Sequence, residues 1–479
     1  MATEVTSGVG HDDMVTIPEE PQVPSKRLPP GQWARKNLFS NWYNSLLTVF
    51  LGALILFLAF KAFQFVFLNG RWDPVTDNLT LFMIGRFPRE EQWRVVAQIV
   101  LWSAAAGLAG GAAVAGAKFR AIQMGIPYVD DSGLRKIRRY WALLLLLIVL
   151  LFATSTIWPL VLTVASLATG AVLYQISSRV PGQYAAPMWA GVAVLGVLGY
   201  QIVSGFVGLA WLWMAVPFAL AGAWAVGRRD FDTLRKQRFW QTGVGVAIAI
   251  LVYVVYFFLP DGGVGWDKWE GFHLSLIAAV VAIVVAFPLG LLLALARRSS
   301  FPALSMMATG YIELIRGVPL ISLLLMALFF IGFFLNTSSP LSTMTRALAA
   351  LTLFTAAYIA EIVRGGLQSV PNGQIEAGLS VGMSSFAVTR QIVLPQALRA
   401  VIPAMVGQFI SLFKDTTLLL IIGVSEILKV RELVHAQAEF RGFGIAETLV
   451  FVMVAFWAVS FTMSRESQRL ERKLGVGER

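Results

Sequence analysis

The stretch Pro371–Pro403, PNGQIEAGLSVGMSSFAVTRQIVLPQALRAVIP, interrupts the apolar segments of this chain with more than thirty moderately polar residues. Its pattern predicts a short helix over Gln374–Val381, a break at Gly382 and a second short helix over Ser384–Val393. Pro395 is expected to end the second helix, because proline cannot supply the backbone N–H that an inner helical turn requires. The stretch therefore predicts two short helices joined by a turn.

The turn between these helices favours glycine. Residue 382 has no Cβ, which permits both a sharp bend and a close approach by another chain. Two short helices around such a bend would project from the membrane as a compact feature, which we call the elbow (residues 371–395). An elbow of this kind could dock on a soluble partner, whereas an ordinary interfacial loop would explain the same pattern.

On both sides of the elbow the composition indicates a membrane protein. The chain has 479 residues, of which 57% are hydrophobic and 14% are charged, and its mean hydropathy is +0.71. A soluble domain is roughly 45–50% apolar and about 25% charged, so the apolar excess is too large for one soluble core. The apolar runs predict an all-α polytopic fold of about 10–12 transmembrane helices, the last five of which form a core.

Basic residues give the predicted orientation. The segments Lys118–Arg139, Arg228–Arg238 and Arg465–Arg479 are rich in Lys and Arg. Because positive residues accumulate on the cytoplasmic side of a membrane, we expect these segments, the elbow and both termini to be cytoplasmic. The formal net charge of +11 is explained in this way and indicates no nucleic acid partner.

Residue usage argues against an enzyme. Cysteine is absent, which excludes disulfides, thiolate metal sites and cysteine nucleophiles, and 3 His leave little room for a metal centre. An intramembrane enzyme would need paired Asp, His/Glu metal ligands or a serine dyad at membrane depth, and the sequence offers no such group. We therefore predict no catalytic residue, no metal and no cofactor in this chain.

The uneven distribution of polar residues predicts the domain organisation. Spans before residue 240 hold hardly a polar residue at membrane depth, whereas charged residues with regular spacing are concentrated after residue 270. Ionisable groups within a membrane mark function, so the C-terminal half is the expected working part. The predicted divisions are a disordered cytoplasmic tail (1–40), a multi-span extension (41–240), a core (241–465) and a second cytoplasmic tail (466–479).

The elbow also carries a family pattern. Glu376-Ala377-Gly378 is followed after three residues by Gly382 and after nine more by Ile392-Val393-Leu394-Pro395. This resembles the EAA loop of ATP-binding-cassette importer permeases, which runs E-A-A, three residues, G, nine residues, I-x-L-P; Gly378 replaces the second Ala, a small residue for a small one. In that family the loop couples the permease to its ATPase. The resemblance implies a coupling role for Ile375, Glu376, Ala377, Gly378, Gly382, Ile392, Leu394 and Pro395.

The flanks of the elbow narrow the resemblance to permeases of polar amino acids. Four further segments match that family's motifs, and together the matches cover residues 271–465. The long extension, in turn, resembles the larger permease subunits of general L-amino-acid (Aap/Bzt-type) transporters. The four segments are Tyr311–Leu320 (YIELIRGVPL), Ala356–Gly366 (AAYIAEIVRGG), Leu394–Leu398 (LPQAL) and Lys414–Thr417 (KDTT). The first of them contains the structural signature Glu313, Arg316, Gly317 and Pro319.

The resemblance implies a permease subunit in the inner membrane of a bacterium. Its partners would be a second permease subunit, in a heterodimer, two ATP-binding subunits that hold the ATP and Mg, and a periplasmic amino-acid-binding protein. The substrate would be an amino acid, and lipid would surround the spans. An ion-coupled secondary carrier or a channel, which needs no ATPase, is the alternative from a different class.

Two groups of residues are candidates for the substrate path. In the first, Tyr358, Glu361 and Arg364 are three residues apart, which makes successive members neighbours on a helix. Glu361 could meet the ammonium and Arg364 the carboxylate of a zwitterion; alternatively the two form a structural pair at the cytoplasmic end of a span. Glu313 and Arg316 have the same spacing and are expected to pair with each other.

The second group, Lys414, Asp415 and Thr416, lies inside an apolar run. Two adjacent charges cannot share one helix face, so each needs its own partner or a wet cavity. We expect this group to face the translocation path or a subunit interface, not lipid.

Overall fold

The computed structural model describes residues 29–125, 159–205, 241–250, 268–334 and 342–474, with scattered residues at 141–149, 216–239 and 263–265. Every regular element in these ranges is helical, and the one strand-like contact is an isolated bridge between Gly271 and Glu426. The all-α class predicted from the sequence is confirmed.

The helices fall into an N-terminal and a C-terminal set. The N-terminal set consists of α1 (Pro30–Asn37), α2 (Trp42–Phe63), α3 (Asp73–Thr76), α4 (Leu79–Ile84), α5 (Gln92–Gln123), α6 (Pro159–Arg179), α7 (Ala185–Ser204) and α8 (Gln241–Ile250). The C-terminal set consists of α9 (Gly271–Arg297), α10 (Pro302–Gly317), α11 (Leu320–Phe334), α12 (Thr343–Ser369), α13 (Asn372–Ser380), α14 (Ser385–Val388), α15 (Leu394–Asp415), α16 (Ile427–Ala436) and α17 (Ile445–Leu474).

Seven of the described helical segments are long and apolar enough to cross a membrane, and eight if a bent pair counts as one span. The apolar runs of the sequence predict spans over Tyr43–Leu68 and His273–Leu295, and both lie within the observed helical segments Trp42–Asn69 and Gly271–Arg297. Of the spans predicted within Trp141–Gln175, Pro187–Val226 and Gln241–Leu259, the parts at 141–158, 206–226 and 251–259 lie largely or wholly outside the described residues. The chain is a polytopic helical membrane protein.

The described residues up to Gly70 form a compact unit of their own. In it, α2 has no buried residue and is apolar all round, as expected of a helix that faces lipid. Of the tail predicted to be disordered (1–40), the structure describes the residues from 29 on, and there Pro30 occupies the first position of α1. Proline is well suited to that position, because its missing N–H would have no helical partner there anyway.

Small residues allow the core helices to approach one another closely around α12. A Cβ on Gly290 of α9 would lie 2.8 Å from the carbonyl oxygen of Ala356, and one on Gly366 would lie 2.7 Å from that of Ala397 on α15. In lipid the hydrophobic effect does not drive helices together, so close van der Waals contact of this kind holds them. As a result, α12 is the buried central helix of the C-terminal set.

The apolar run Leu304–Phe334 predicts one span, and the structure breaks this segment in the middle. The segment forms two helices, α10 and α11, whose axes are bent by 107°. Between them Val318 is extended, with φ −109° and ψ 136°. Pro319 explains the break, since proline disfavours a helical conformation in the residue before it.

The extension has its own close helix pair. A Cβ on Gly107 of α5 would lie 2.0 Å from the carbonyl oxygen of Gly170 on α6, and one on Gly111 would collide with Ser177. Glycines four residues apart thus let α5 and α6 pack backbone to backbone, in the manner of small-residue motifs in membrane helices.

The predicted orientation can be checked by cysteine labelling, because the chain has no cysteine to remove. Ser384→Cys in the elbow and Ile122→Cys at the exposed end of α5 should react with an impermeant maleimide only in inverted vesicles. Asp77→Cys, between α3 and α4 at the opposite end of the bundle, is the matched control and should react in intact cells. Labelling of Ser384→Cys in intact cells would contradict the orientation.

Candidate coupling and translocation site

The elbow turn has the geometry that the sequence predicts. After α13, Gly382 takes a left-handed conformation with φ +82°. Its N–H donates to the carbonyl of Leu379 at 3.0 Å, and the N–H of Met383 donates to that of Gly378 at 3.2 Å. These two bonds make up a Schellman motif, which satisfies the last carbonyls of a helix. A Cβ at 382 would meet no atom within 4 Å, so backbone conformation alone requires glycine here.

The second elbow helix runs into the membrane without a stop. Ser384 caps α14 by accepting a hydrogen bond from the N–H of Ala387 at 3.3 Å, and a π-helical turn, Thr389–Val393, then leads into α15. The prediction that Pro395 ends this helix is wrong, because Pro395 lies in the first turn of α15. The π turn explains the difference: it shifts the backbone hydrogen bonds just before the proline, where an N–H is missing.

The outer surface of the elbow is apolar at its tip. Val381 and Phe386 flank the turn and are 76% and 74% exposed. Among the residues assigned to coupling from the family pattern, Glu376 and Ala377 are exposed on the same projection. The family pattern did not single out Val381 and Phe386; their sequence signal was a large apolar residue on either side of a turn outside the spans. Exposed apolar groups clustered on a projection are typical of a docking surface.

The inner surface of the elbow packs on the core. Gly378 is buried, and a Cβ there would lie 2.9 Å from Val388 and from Ile392, so the small residue lets the two elbow helices touch. Ile375 and Leu394 pack on the buried cluster at the ends of α12 and α15. A cavity of about 260 Å³ remains between the elbow and the helix ends, lined by Leu295, Arg298, Leu367, Ile375, Leu379, Ser385, Val388, Thr389 and Val393.

A carboxylate shared by three arginines lies near the same end of the core. Glu361 on α12 receives Nε of Arg364 at 2.9 Å and its Nη2 at 2.5 Å, which is a bidentate pair. The same carboxylate lies 3.2 Å from Arg297 of α9 and 3.6 Å from Arg316 of α10. One acidic side chain therefore ties three helices together, and we call these four residues the arginine cluster.

The predicted pair of Glu313 with Arg316 is not what the structure shows. Glu313 accepts a hydrogen bond from Nη2 of Arg297 at 2.8 Å, whereas Arg316 faces Glu361 and lies over the ring of Tyr358 at 5.7 Å. Bending at Pro319 brings the end of α10 against α12, so contacts between helices replace the contact within α10. No sequence spacing could have shown these partners, because they come from three different helices.

The second predicted group lies at the other end of α15. Lys414 is exposed, Asp415 is half-buried, and Thr416 is buried with its hydroxyl bonded to the carbonyl of Phe413 at 2.7 Å. The structure does not bring this group next to the arginine cluster, which lies toward the elbow. A role of Lys414–Thr416 in the substrate path stays a prediction.

Removing the shared carboxylate should destabilise the protein. Glu361→Gln would leave three arginines without their common anion, and the loss of a charged partner at a partly buried site costs about 1–3 kcal/mol. We expect lower thermal stability of the purified protein, measured by its loss of monodispersity on heating. The exposed carboxylate of Glu376 offers the matched control, because Glu376→Gln should leave stability unchanged.

The same experiment distinguishes the two interpretations of Glu361 and Arg364. Arg364→Lys keeps the charge and loses the bidentate fork, so it should lower stability by less than Glu361→Gln does. If Glu361→Gln abolishes uptake while stability stays at the wild-type value, the pair binds substrate and does not serve mainly to join helices.

Comparison with known proteins agrees with this geometry. Residues 286–475 match the family described as binding-protein-dependent transport system inner membrane component. The glutamate/glutamine/aspartate/asparagine transport system permease protein BztC of Rhodobacter capsulatus is 33% identical over 92% of this chain and 93% of its own length. The inner membrane amino-acid ABC transporter permease YhdY of Escherichia coli is 38% identical over 48% of this chain and 64% of its own.

Among solved structures, an amino acid ABC transporter crystallised with histidines is 28% identical over 42% of this chain and 92% of that one, with a TM-score of 0.39. The relatives support an importer permease over an ion-coupled carrier or a channel. Since the similarity to one amino-acid permease extends over nearly the whole length of both chains, this chain belongs to the amino-acid permeases of ATP-binding-cassette importers, within the family of binding-protein-dependent inner membrane components.

Proposed function

We propose that the elbow is the surface on which an ATP-binding subunit acts to drive amino-acid import through this permease. The observation that carries the proposal is the glycine turn with its apolar tip. Val381 and Phe386 project beyond the ends of the core helices, on a turn whose backbone is fixed by the Schellman bonds of Gly382 and Met383. A rigid apolar projection can enter a groove on another chain without the entropic cost of becoming ordered on binding.

The connections of the elbow also allow it to transmit a force from its tip to the core helices. Its first helix follows α12 after a short break at Pro371, and its second continues through the π turn into α15. Gly378 holds the two elbow helices in contact, so a force on the tip moves both as one body. Through these connections a displacement of the elbow would shift the cytoplasmic ends of α12 and α15 together.

The arginine cluster would then transmit that displacement from α12 to the neighbouring helices. Glu361 belongs to α12, while Arg297 and Arg316 belong to α9 and α10, and the ion pairs join the three helices just above the elbow. Because this carboxylate is already bound by three guanidinium groups, we assign the cluster the role of holding the three helices together. In this proposal Glu361 and Arg364 position helices and do not hold the substrate zwitterion.

The substrates and partners are proposed from the relatives. The similar permease BztC is named for glutamate, glutamine, aspartate and asparagine, and we assign the same class of small polar and acidic amino acids to this chain. The complete importer would add a second permease subunit, two ATP-binding subunits with ATP and Mg, and a binding protein on the side opposite the elbow. Both termini would lie in the cytoplasm.

Gly382→Asp tests the coupling role. A residue with a side chain at this positive φ strains the backbone by about 1–3 kcal/mol, which should tilt the tip and displace Glu376. We expect normal membrane insertion, but loss of glutamate, glutamine, aspartate and asparagine uptake. In proteoliposomes, ATP hydrolysis should no longer respond to loaded binding protein. Glu376→Ala should have a milder effect of the same kind.

Gly373 provides the matched control within the elbow. It lies in the first turn of α13, has no positive φ, and a Cβ there meets no atom within 4 Å. Gly373→Asp adds the same charge to the same projection without backbone strain and should retain uptake. Wild-type uptake and stimulated ATP hydrolysis in Gly382→Asp would show that the elbow is not the coupling element.

A further inference from the structure

Residues 71–86 of the N-terminal extension pack on the end of the core that lies opposite the elbow. This segment contains α3 and α4, and we call it the clamp. It lies beside residues 416–444, the distal connection, which joins α15 to α17 and contains α16. The distal connection begins directly after Lys414 and Asp415, two of the residues predicted to face the substrate path.

Both ends of the clamp are held by carboxylates of the core. At its start, the N–H of Arg71 donates to Glu447 of α17 at 2.8 Å. At its end, the N–H of Arg86 donates to Glu270 at 2.8 Å, and the guanidinium group of Arg86 forms an ion pair with the same carboxylate. Glu270 raises the pKa of Arg86 through this contact. Both carboxylates are buried, so each depends on the clamp for partners.

The middle of the clamp is part of the core itself. Phe82, Met83 and Ile84 are fully buried, and the ring of Phe82 lies 5.3 Å from that of Phe451 on α17. The backbone is in close contact as well: a Cβ on Gly271, at the start of α9, would lie 2.7 Å from the carbonyl oxygen of Phe82. The clamp is therefore packed into the core and is not a loop resting on the surface.

The clamp reaches the distal connection directly. Gln437, just after α16, donates to the side chain of Asn78 at 3.1 Å, and a Cβ on Gly444 would lie 2.6 Å from the ring of Pro74. Deeper in the membrane, His273 of α9 is buried and bonded to Gln98 of α5 at 2.6 Å. That bond joins the extension to the helix whose first residue, Gly271, forms the bridge with Glu426 of the distal connection.

We propose that the clamp is a positioning element for transport, which sets the distal connection and thereby keeps the outward mouth of the permease closed until a loaded binding protein docks. The inference rests on the proposed import function, because it assigns the clamp to the mouth of that path. It also gives the extension a function beyond membrane anchoring. Relatives of about half this length, such as GlnP of Bacillus subtilis, match only 42% of the chain.

Arg86→Gln tests the clamp: the Arg86 side chain is 68% exposed, and the backbone N–H of residue 86 still donates to Glu270 after the guanidinium group is removed. The complete importer, with its ATP-binding and binding-protein partners, is reconstituted in proteoliposomes, and ATP hydrolysis is measured with and without loaded binding protein. Loss of the ion pair should loosen the clamp and raise the unstimulated rate, so that the stimulation ratio falls about fivefold. Arg89→Gln, at a neighbouring exposed arginine, is the matched control and should keep the wild-type ratio.

A covalent tether separates positioning from folding. Asn78→Cys and Gln437→Cys are added to Arg86→Gln in this cysteine-free chain and joined by a short bifunctional maleimide after assembly. If the clamp acts by position, the tether restores the stimulation ratio. An unchanged ratio in Arg86→Gln, or a lowered ratio that the tether does not restore, overturns the proposal. If the wild-type importer itself shows no stimulation by the binding protein, the proposed import function has failed, and the clamp proposal falls with it.

Discussion

Close packing of small residues around α12 is the constraint on which the rest of the core depends. Lipid offers helices no hydrophobic gain from association, so they must hold together by contacts that side chains of ordinary size would prevent. Gly290 permits the approach of α9 to Ala356 and Ile359, and Gly366 permits the approach of α12 to α15. A larger residue at either place would separate the helices that carry the site.

Two features follow from the position of α12. Its C-terminal third brings Glu361 within reach of arginines from α9 and α10. This places a multiply paired carboxylate near the end of the bundle, where charge is less costly than at membrane depth. Two residues beyond its end, Pro371 starts the elbow. Thus the same helix that organises the core also connects the ion pairs to the projecting turn, and the proposed route from ATPase to translocation path needs no separate linker.

The sequence was most informative where local physics decides the structure. Gly382 could be placed in a turn because few other residues tolerate a positive φ, and the apolar runs could be assigned to spans because only helices satisfy the backbone in lipid. The pattern around Glu376 predicts a coupling role only through family resemblance. Pro395 was misjudged because a π turn, which leaves no clear sequence signal, accommodates a proline that would otherwise end the helix.

Predictions failed where partners come from distant parts of the chain. Spacing paired Glu313 with Arg316, but the bend at Pro319 gives each a partner on another helix. The contact of His273 with the extension cannot be predicted from spacing either, because its partner Gln98 lies 175 residues away. The close packing of the clamp could not be predicted from the sequence either. A run such as Phe82–Ile84 looks the same in sequence whether it faces lipid or the protein core.

The central claim, that the elbow tip contacts the ATPase, is tested most directly by site-specific photocrosslinking in cells that express the whole importer. A photoreactive amino acid at Val381 or Phe386 should give an adduct with the ATP-binding subunit, and one at Asp77, at the opposite end of the bundle, should not. Formation of adducts at Asp77 but none at either tip position would contradict the account.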